Sequence, residues 1–280
     1  MNTQTETIIV APVTPLGNFI MLAPSVKSLF DLGGKTILIT GASGGIGAGI
    51  AHRFAEAGAN IALHYRNGGE AVRTLAAELT QKGTHVSSFQ AELTDADSVA
   101  AMIDAAVVKF TRLDVLINNA GIFPNAPLMD MSHNNWKTMM AANTDSVFLC
   151  TQKAAEQMKQ TGGGAVVNIA SISGLNAGPA HAHYNSSKAA VIMFGQSAAQ
   201  ELAAFGIRVN TVSPGLVFRP GIEEAWPEGV ARWQQKAPLG RLAYPEDIAD
   251  ACLFLASPAA RFITGVNIPV EGGVLSSPIY

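Results

Sequence analysis

Charge is sparse in this chain. Of its 280 residues only 14% are Asp, Glu, Lys or Arg, and the formal net charge is −3. A protein without a basic stripe has nothing to hold a phosphate backbone, so nucleic acid is not an expected partner. Cysteine is scarcer still, with Cys150 and Cys252 alone. Two cysteines exclude a disulfide-dense scaffold, and no Cys and His cluster has metal-ligand spacing. Both thiols fall in apolar, helix-like stretches and read as buried and reduced, which points to the cytoplasm. No apolar run is long enough to span a bilayer, so no membrane role is expected. Residues 1–33 contain no arginine and no basic segment before the apolar stretch Ile8–Val13, so neither a transit peptide nor a signal peptide is expected there. They read as an N-terminal extension, partly disordered or packed on the surface of a single domain covering 34–280.

Apolar residues make up 48% of the chain, enough for a sizeable core. Short β-branched runs alternate with longer helical patterns. Strands are expected at Thr36–Thr40, Ile61–Tyr65, Val86–Gln90, Val115–Asn118, Ala165–Ala170, Arg208–Ser213 and Asn267–Val270. Several are continuous apolar runs, as for strands buried on both faces. Helices are expected at Ile46–Ala57, Glu70–Gln81, Asp95–Phe110, His133–Gln160, His183–Phe205 and Pro245–Leu255. Thr94 and Asp97 have capping-box spacing, Ser132 suits an N-cap, and Pro245 suits a first helical position. This alternation implies an α/β fold with a parallel sheet and helices on both faces. Between Gly215 and Arg241 the rhythm stops. Prolines and glycines, among them Pro220, Gly221, Pro227, Gly229 and Pro238, punctuate a segment that carries Trp226 and Trp233, and residues 216–240 read as a lid over a binding site.

The chemistry is concentrated in a few positions. Tyr184 and Lys188 are one helical turn apart and share a helix face. A cation there stabilises tyrosinate, so a lowered phenol pKa is expected, suited to moving a proton to or from a substrate oxygen. Ser171, thirteen residues before the tyrosine, can hydrogen-bond the same oxygen. Ser173 is a rival for that role, and His181 and His183 offer an alternative base. Upstream lie the glycine-rich turn TGASGGIG at Thr40–Gly47 and the sequence NNAG at Asn118–Gly121. After a strand, glycines let the backbone approach a pyrophosphate, and a helix N-terminus supplies free N–H donors.

In this order the motifs resemble the short-chain dehydrogenase/reductase family, in its compact single-domain branch, from about Gly34 to Gly273. Asn143, Pro214-Gly215, Pro245 to Ala249 and Ile263-Thr264-Gly265 extend the match. The resemblance implies a doubly wound Rossmann-type sheet with strand order 3-2-1-4-5-6-7. It implies that Tyr184 is the acid/base and that Lys188 lowers its pKa and binds the nicotinamide ribose. Ser171 then orients the substrate oxygen, and Asn143 holds a water in a proton relay. The cofactor residues it implies are Gly41, Ser43, Gly45, Ile46 and Gly47 at the pyrophosphate, with Tyr65, Arg66, Asn67, Glu92 and Leu93 around the adenosine. Asn119, Ala120, Gly121, Pro214, Gly215 and Val217 complete the set. Tyr65 stands where NAD-preferring relatives usually carry Asp, and Arg66 can pair with a 2′-phosphate, so NADP is favoured with NAD as the alternative. Phe123, Ser173, Leu175, Phe218 and Trp226 are candidates for a substrate pocket. Arg219 faces either solvent or a negatively charged substrate group. The activity implied is hydride transfer between cofactor and a ketone or secondary alcohol, with a 3-oxoacyl thioester or a sugar or steroid alcohol equally open as substrate. A non-catalytic dinucleotide sensor on the same fold is the reading from another class. A homotetramer or homodimer is expected, paired through the two long helices, with Ser276–Tyr280 as a second contact.

Overall fold

The strands β1 (Thr36–Ile39), β2 (Asn60–Tyr65), β3 (Val86–Gln90), β4 (Val115–Asn118), β5 (Gly164–Ile169), β6 (Ile207–Pro214) and β7 (Asn267–Val270) form one parallel sheet in the order β3-β2-β1-β4-β5-β6-β7. The computed structural model of the chain describes residues 24–276. The expected strand order is therefore met, with strand ends displaced by no more than a residue. Residues 1–23 of the expected extension lie outside the described residues. Its described part packs on the domain: Leu32 is buried and its N–H donates to the Ala57 carbonyl at 2.8 Å.

Side chains alternate across the sheet. Ile37 and Ile39 enter one core with Ile61, Leu63, Ile117 and Phe54, while Leu38 enters the opposite core with Leu116, Val166 and Val209. Helices α1 (Gly45–Glu56) and α2 (Gly69–Gln81) cover the first face, and α3 (Ala96–Phe110) covers the second. The capping box expected from Thr94 is not formed. Asp95 is the N-cap of α3, and its carboxylate accepts the Ser98 N–H at 3.0 Å, because Thr94 is turned back onto Glu92.

The stretch expected as one helix from His133 to Gln160 is divided. α4 (His133–Met140), with Ser132 as its capping-box residue, is followed by a π turn at Ala141–Asp145 and then by α5 (Ser146–Gln160). α6 (Ala182–Leu202) carries Tyr184 and Lys188 and ends in a 3₁₀ turn through Phe205. Beyond β6 come α7 (Ile222–Ala225) and α8 (Pro227–Lys236), which enclose a small cluster of Ile222, Val230 and Leu242. α9 (Pro245–Ala256) opens on Pro245, and the Asp247 carboxylate accepts the Tyr244 N–H at 2.6 Å.

Every strand of a parallel sheet points the same way, so the loops after β1, β2, β4, β5 and β6 gather at one edge. Ligand sites of open α/β sheets lie outside the carboxyl ends of the strands. Most of the residues singled out in the sequence lie on those loops, at the start of α1 and on α6, with Asn143 in the π turn.

Candidate active site

A cleft of about 980 Å³ runs along that edge. One end is built by the turn from β1 into α1. Gly41 has a φ of 65°, and a Cβ there would lie 2.8 Å from the Ala120 Cα, so the loop after β4 fits against this turn only with glycine. A Cβ at Gly44 or Gly45 would meet nothing within 4 Å, because both face open space. No side chain caps α1, so its first-turn N–H groups face the cleft without a protein acceptor. This cradle suits an anionic pyrophosphate. Gly47, expected as a contact, is instead buried in α1, where a Cβ would lie 2.8 Å from Asn119 Nδ2 and against the Gly41 carbonyl. It keeps the helix close to the loop and is no part of the wall.

Ser43, Ile46, Tyr65, Arg66, Asn67, Glu92 and Leu93 continue the wall from the cradle outward. Arg66 stands 3.7 Å from Glu92, and the Glu92 carboxylate also accepts from the Thr94 N–H and hydroxyl. Glu92 is therefore committed to its neighbours. Asn119 ties the loops together, since its Nδ2 donates to the Thr40 and Gly41 carbonyls at 2.9 and 3.0 Å. One residue with a structural part here went unassigned in the sequence. His64, at the end of β2, is buried; its Nδ1 accepts the Gly41 N–H at 3.1 Å and its Nε2 lies 3.2 Å from the Ala91 carbonyl. That pairing requires the neutral ring protonated at Nε2. Burial, the largest influence, pulls the pKa below the ordinary imidazole value.

At the middle of the cleft Ser171, Tyr184 and Lys188 come together with Ile169, Ala170 and Pro214. Burial pushes the Tyr184 phenol above its ordinary range, and a hydrogen bond with Ser171 pulls it part of the way back. The expected lowering of the phenol pKa by Lys188 is not found. The Lys188 ammonium is 5.8 Å from the centre of the Tyr184 ring and donates instead to the Ile169 carbonyl at 2.9 Å. Burial also lowers Lys188 itself, to about 8. Asn143 is fully buried behind the wall. Its Oδ1 accepts the Ile122 N–H at 2.8 Å, and its Nδ2 donates to the Ile122 carbonyl at 2.9 Å and to Ser187 Oγ at 3.1 Å. Gly121 lies between this amide and Lys188, for a Cβ there would be 3.0 Å from Asn143 Oδ1 and 3.6 Å from Lys188 Nζ.

A family model described as enoyl-(acyl carrier protein) reductase matches residues 41–275. The 3-oxoacyl-(acyl-carrier-protein) reductase FabG of Staphylococcus aureus is 41% identical over 86% of this chain and 98% of its own length. The D-threitol dehydrogenase of Mycolicibacterium smegmatis is 40% identical over 89% and 96%. The crystal structure of a short-chain type dehydrogenase/reductase from Mycobacterium marinum superposes with a TM-score of 0.84 at 38% identity, over 89% of this chain and 99% of that one. The chain belongs to the short-chain dehydrogenase/reductase family. It is an NAD(P)-dependent oxidoreductase. A further solved member, a 7α-hydroxysteroid dehydrogenase complexed with NADH and 7-oxo glycochenodeoxycholic acid, superposes with a TM-score of 0.85 at 34% identity, over 88% and 96%.

The far end of the cleft is where a substrate pocket is expected from the sequence. Phe123, Ser173, Phe218 and Trp226 are in its wall, joined by Asn125, His181 and Trp233. Leu175, expected there, is 48% exposed and lies outside the wall, because the 3₁₀ turn at Ile172–Gly174 carries the chain past the cleft. Ser173, the rival of Ser171, lines the same cleft, and its N–H donates to Ser171 Oγ at 3.1 Å. His183 is buried away from the cleft, and His181 Nδ1 pairs with the Pro179 carbonyl at 2.8 Å. Among the described residues no group of His, Cys, Asp and Glu could hold a metal, and no helix is long and apolar enough to cross a membrane.

Proposed function

We propose that the enzyme is an NADP-dependent ketone reductase in which Tyr184 gives the proton, Ser171 and Lys188 position and charge the site, and Asn143 supports it. The observation that carries this reading is that Ser171, Tyr184 and Lys188 share one cleft with the uncapped start of α1. A nicotinamide cofactor, when bound, supplies the hydride. The residues that would hold it are Gly41, Ser43, Gly45 and Ile46 at the pyrophosphate and Tyr65, Arg66, Asn67 and Leu93 at the adenosine side. Asn119, Ala120, Gly121, Pro214, Gly215 and Val217 follow along the cleft. No carboxylate stands at positions 65–67 to repel a 2′-phosphate, and the Arg66 fork suits one.

A raised phenol pKa favours the protonated form, which is the form reduction requires. Ser171 Oγ hydrogen-bonds the carbonyl oxygen, the Tyr184 proton moves to that oxygen, and the carbon receives the hydride. To stabilise the tyrosinate that remains, the Lys188 ammonium has to turn from the Ile169 carbonyl towards it. Asn143 fixes the Ile122 peptide next to Lys188, along the side where a water relay would return the proton. A panel of ketones assayed with NADPH and NADH tests the reading. Tyr184→Phe is expected to abolish turnover with cofactor affinity little changed, and turnover within about tenfold of the parent would remove Tyr184 as the donor.

The lid reading of 216–240 is supported by its position on the cleft wall and by Trp226, whose side chain is half exposed above Gly229. A homotetramer or homodimer is supported by exposed Phe148 on α5 and Met193 on α6, beside an edge-on Phe148–Phe194 pair. Of the expected C-terminal contact, residues 277–280 lie outside the described residues. Two free, buried cysteines support a cytoplasmic enzyme.

A further inference from the structure

The two ends of the cleft differ in charge. The acidic side chain of its wall, Glu92, lies at the adenosine end, where it faces Arg66 at 3.7 Å. The substrate end carries a cation instead. Arg219 leaves β6 by way of Pro214-Gly215, and its guanidinium lies over the Phe123 ring at 5.5 Å. Phe123 is in the loop after β4. The contact therefore joins the loops after β4 and β6, on either side of the segment after β5 that carries Ser171.

The manner of the contact matters. A guanidinium attracted to an aromatic ring does not spend its N–H donors on a carboxylate there, and those donors match a carboxylate or phosphate in a two-pronged fashion. Several other arginines of the fold have partners. Arg53 pairs with Glu56 and Asp250, Arg112 with Asp114, Arg241 with Asp247, and Arg208 donates to the carbonyls at the end of α9. Arg219 forms no ion pair with a carboxylate among the described residues, although Glu223 and Glu224 follow it closely in sequence. It is an exposed cation on the cleft wall, which Phe123 and Trp226 also line, with no carboxylate paired to it among the described residues.

We propose that Arg219 is a specificity residue that binds an anionic group of the substrate, so that the enzyme prefers ketones bearing a carboxylate or phosphate at a distance from the reacting carbonyl. The proposal rests on the reductase reading above. The ring of Phe123 holds the guanidinium at its station, and the apolar wall accepts the carbon chain between the two polar ends. A neutral polyol or a plain ketone lacks the group that Arg219 is placed to meet.

Matched oxo acids and methyl esters test this. With the saturating cofactor, levulinate and a longer-chain oxo acid are compared with their esters in the parent, in Arg219→Gln and in Arg219→Lys. For the parent, kcat/KM is expected to favour the acids; in Arg219→Gln the acid-to-ester ratio should fall about tenfold or more, chiefly through KM, since hydrogen bonds to charged partners are the strong ones. Arg219→Lys should keep part of the preference. A ratio within about twofold of the parent in Arg219→Gln overturns the proposal. So does an unchanged ratio with weaker NADPH binding, which would give Arg219 to the cofactor. Calorimetric titration of the cofactor-bound protein with the same acids and esters separates this from the reductase reading. Acid-selective binding lost in Arg219→Gln, without turnover of any ketone, sinks the reductase reading and keeps the anion site; absence of acid-selective binding sinks the anion site alone.

Discussion

Replacing Lys188 by Met should make the protein more stable at neutral pH while destroying the site. The ammonium is buried, and burial lowers its pKa from 10.5 to about 8. At about 1.4 kcal/mol per pH unit, holding that charge inside costs about 3 kcal/mol. Methionine keeps the length of the stem and fills the same space, but it loses the charge-assisted bond to the Ile169 carbonyl at 2.9 Å, worth about 1.5–3 kcal/mol. The variant is then more stable by about 1 kcal/mol near pH 7. The pH dependence has a definite sign. The folded chain releases the Lys188 proton first, so between about 8 and 10.5 the unfolded chain holds more protons and the parent gains stability as pH rises. Below about 8 both states are protonated and the whole penalty persists. The buried thiols Cys150 and Cys252 titrate upward of their ordinary value and oppose this trend at high pH, but they are common to both chains and cancel in the difference. Urea unfolding of parent and variant at matched protein concentration, in steps from neutral to alkaline pH, reads that difference directly. Curves that stay parallel across the window would mean a solvated ammonium, and the argument for a dry site around Tyr184 would fail with it.

Arg66→Asp should lower the NADPH-to-NADH ratio of kcat/KM by about tenfold or more, given roughly 1.5–3 kcal/mol for hydrogen bonds to charged groups; an unchanged ratio removes Arg66 from the phosphate site. His64→Phe should weaken both cofactors about tenfold, because the Gly41 N–H loses its acceptor. In the parent, affinity should decline as pH falls below 6.5 towards the lowered His64 pKa, where a protonated Nδ1 would confront the Gly41 N–H; charged Glu92 and Arg66 act on this ring in opposite directions. Calorimetric affinities for both chains across acid pH decide it, and equal slopes would clear His64 of the effect. Hydrogen exchange of residues 216–240 should be faster than that of the central strands in the free enzyme and slow on adding cofactor and ketone. Protection equal to the strands in both states would make α7 and α8 fixed parts of the fold.

The sheet could be read from the sequence because β1, β2, β4 and β5 are buried on both faces and therefore appear as apolar runs without alternation. The cleft followed from glycines whose conformation or crowding no other residue tolerates, Gly41 above all. Interactions at long range were harder. His64 is an ordinary strand residue until Gly41, far back in the chain, is seen to donate to it. The direction of the Lys188 ammonium was hidden for the same reason: helical spacing places it beside Tyr184, but the acceptor that claims it is on β5. Asp95 displaced Thr94 as a cap because Glu92 captured the threonine hydroxyl, a local competition that spacing alone cannot rank. Leu175 missed the pocket by the pitch of one 3₁₀ turn.

The π turn at Ala141–Asp145 has a consequence for how this segment can change. Relative to a regular helix it holds an additional residue, and each residue rotates a helix by about 100°. The mostly exposed α4 and the α5 that buries Val147, Cys150, Ala154 and Met158 are thus out of phase by that amount. Removing a single residue here would restore an unbroken helix with ideal backbone bonding, yet it would swing one half's apolar stripe into solvent and carry the Asn143 amide away from Ile122. A deletion at this place should be far less tolerable than a substitution, and an alignment gap placed within it would signal a different helix packing in the protein that carries the gap.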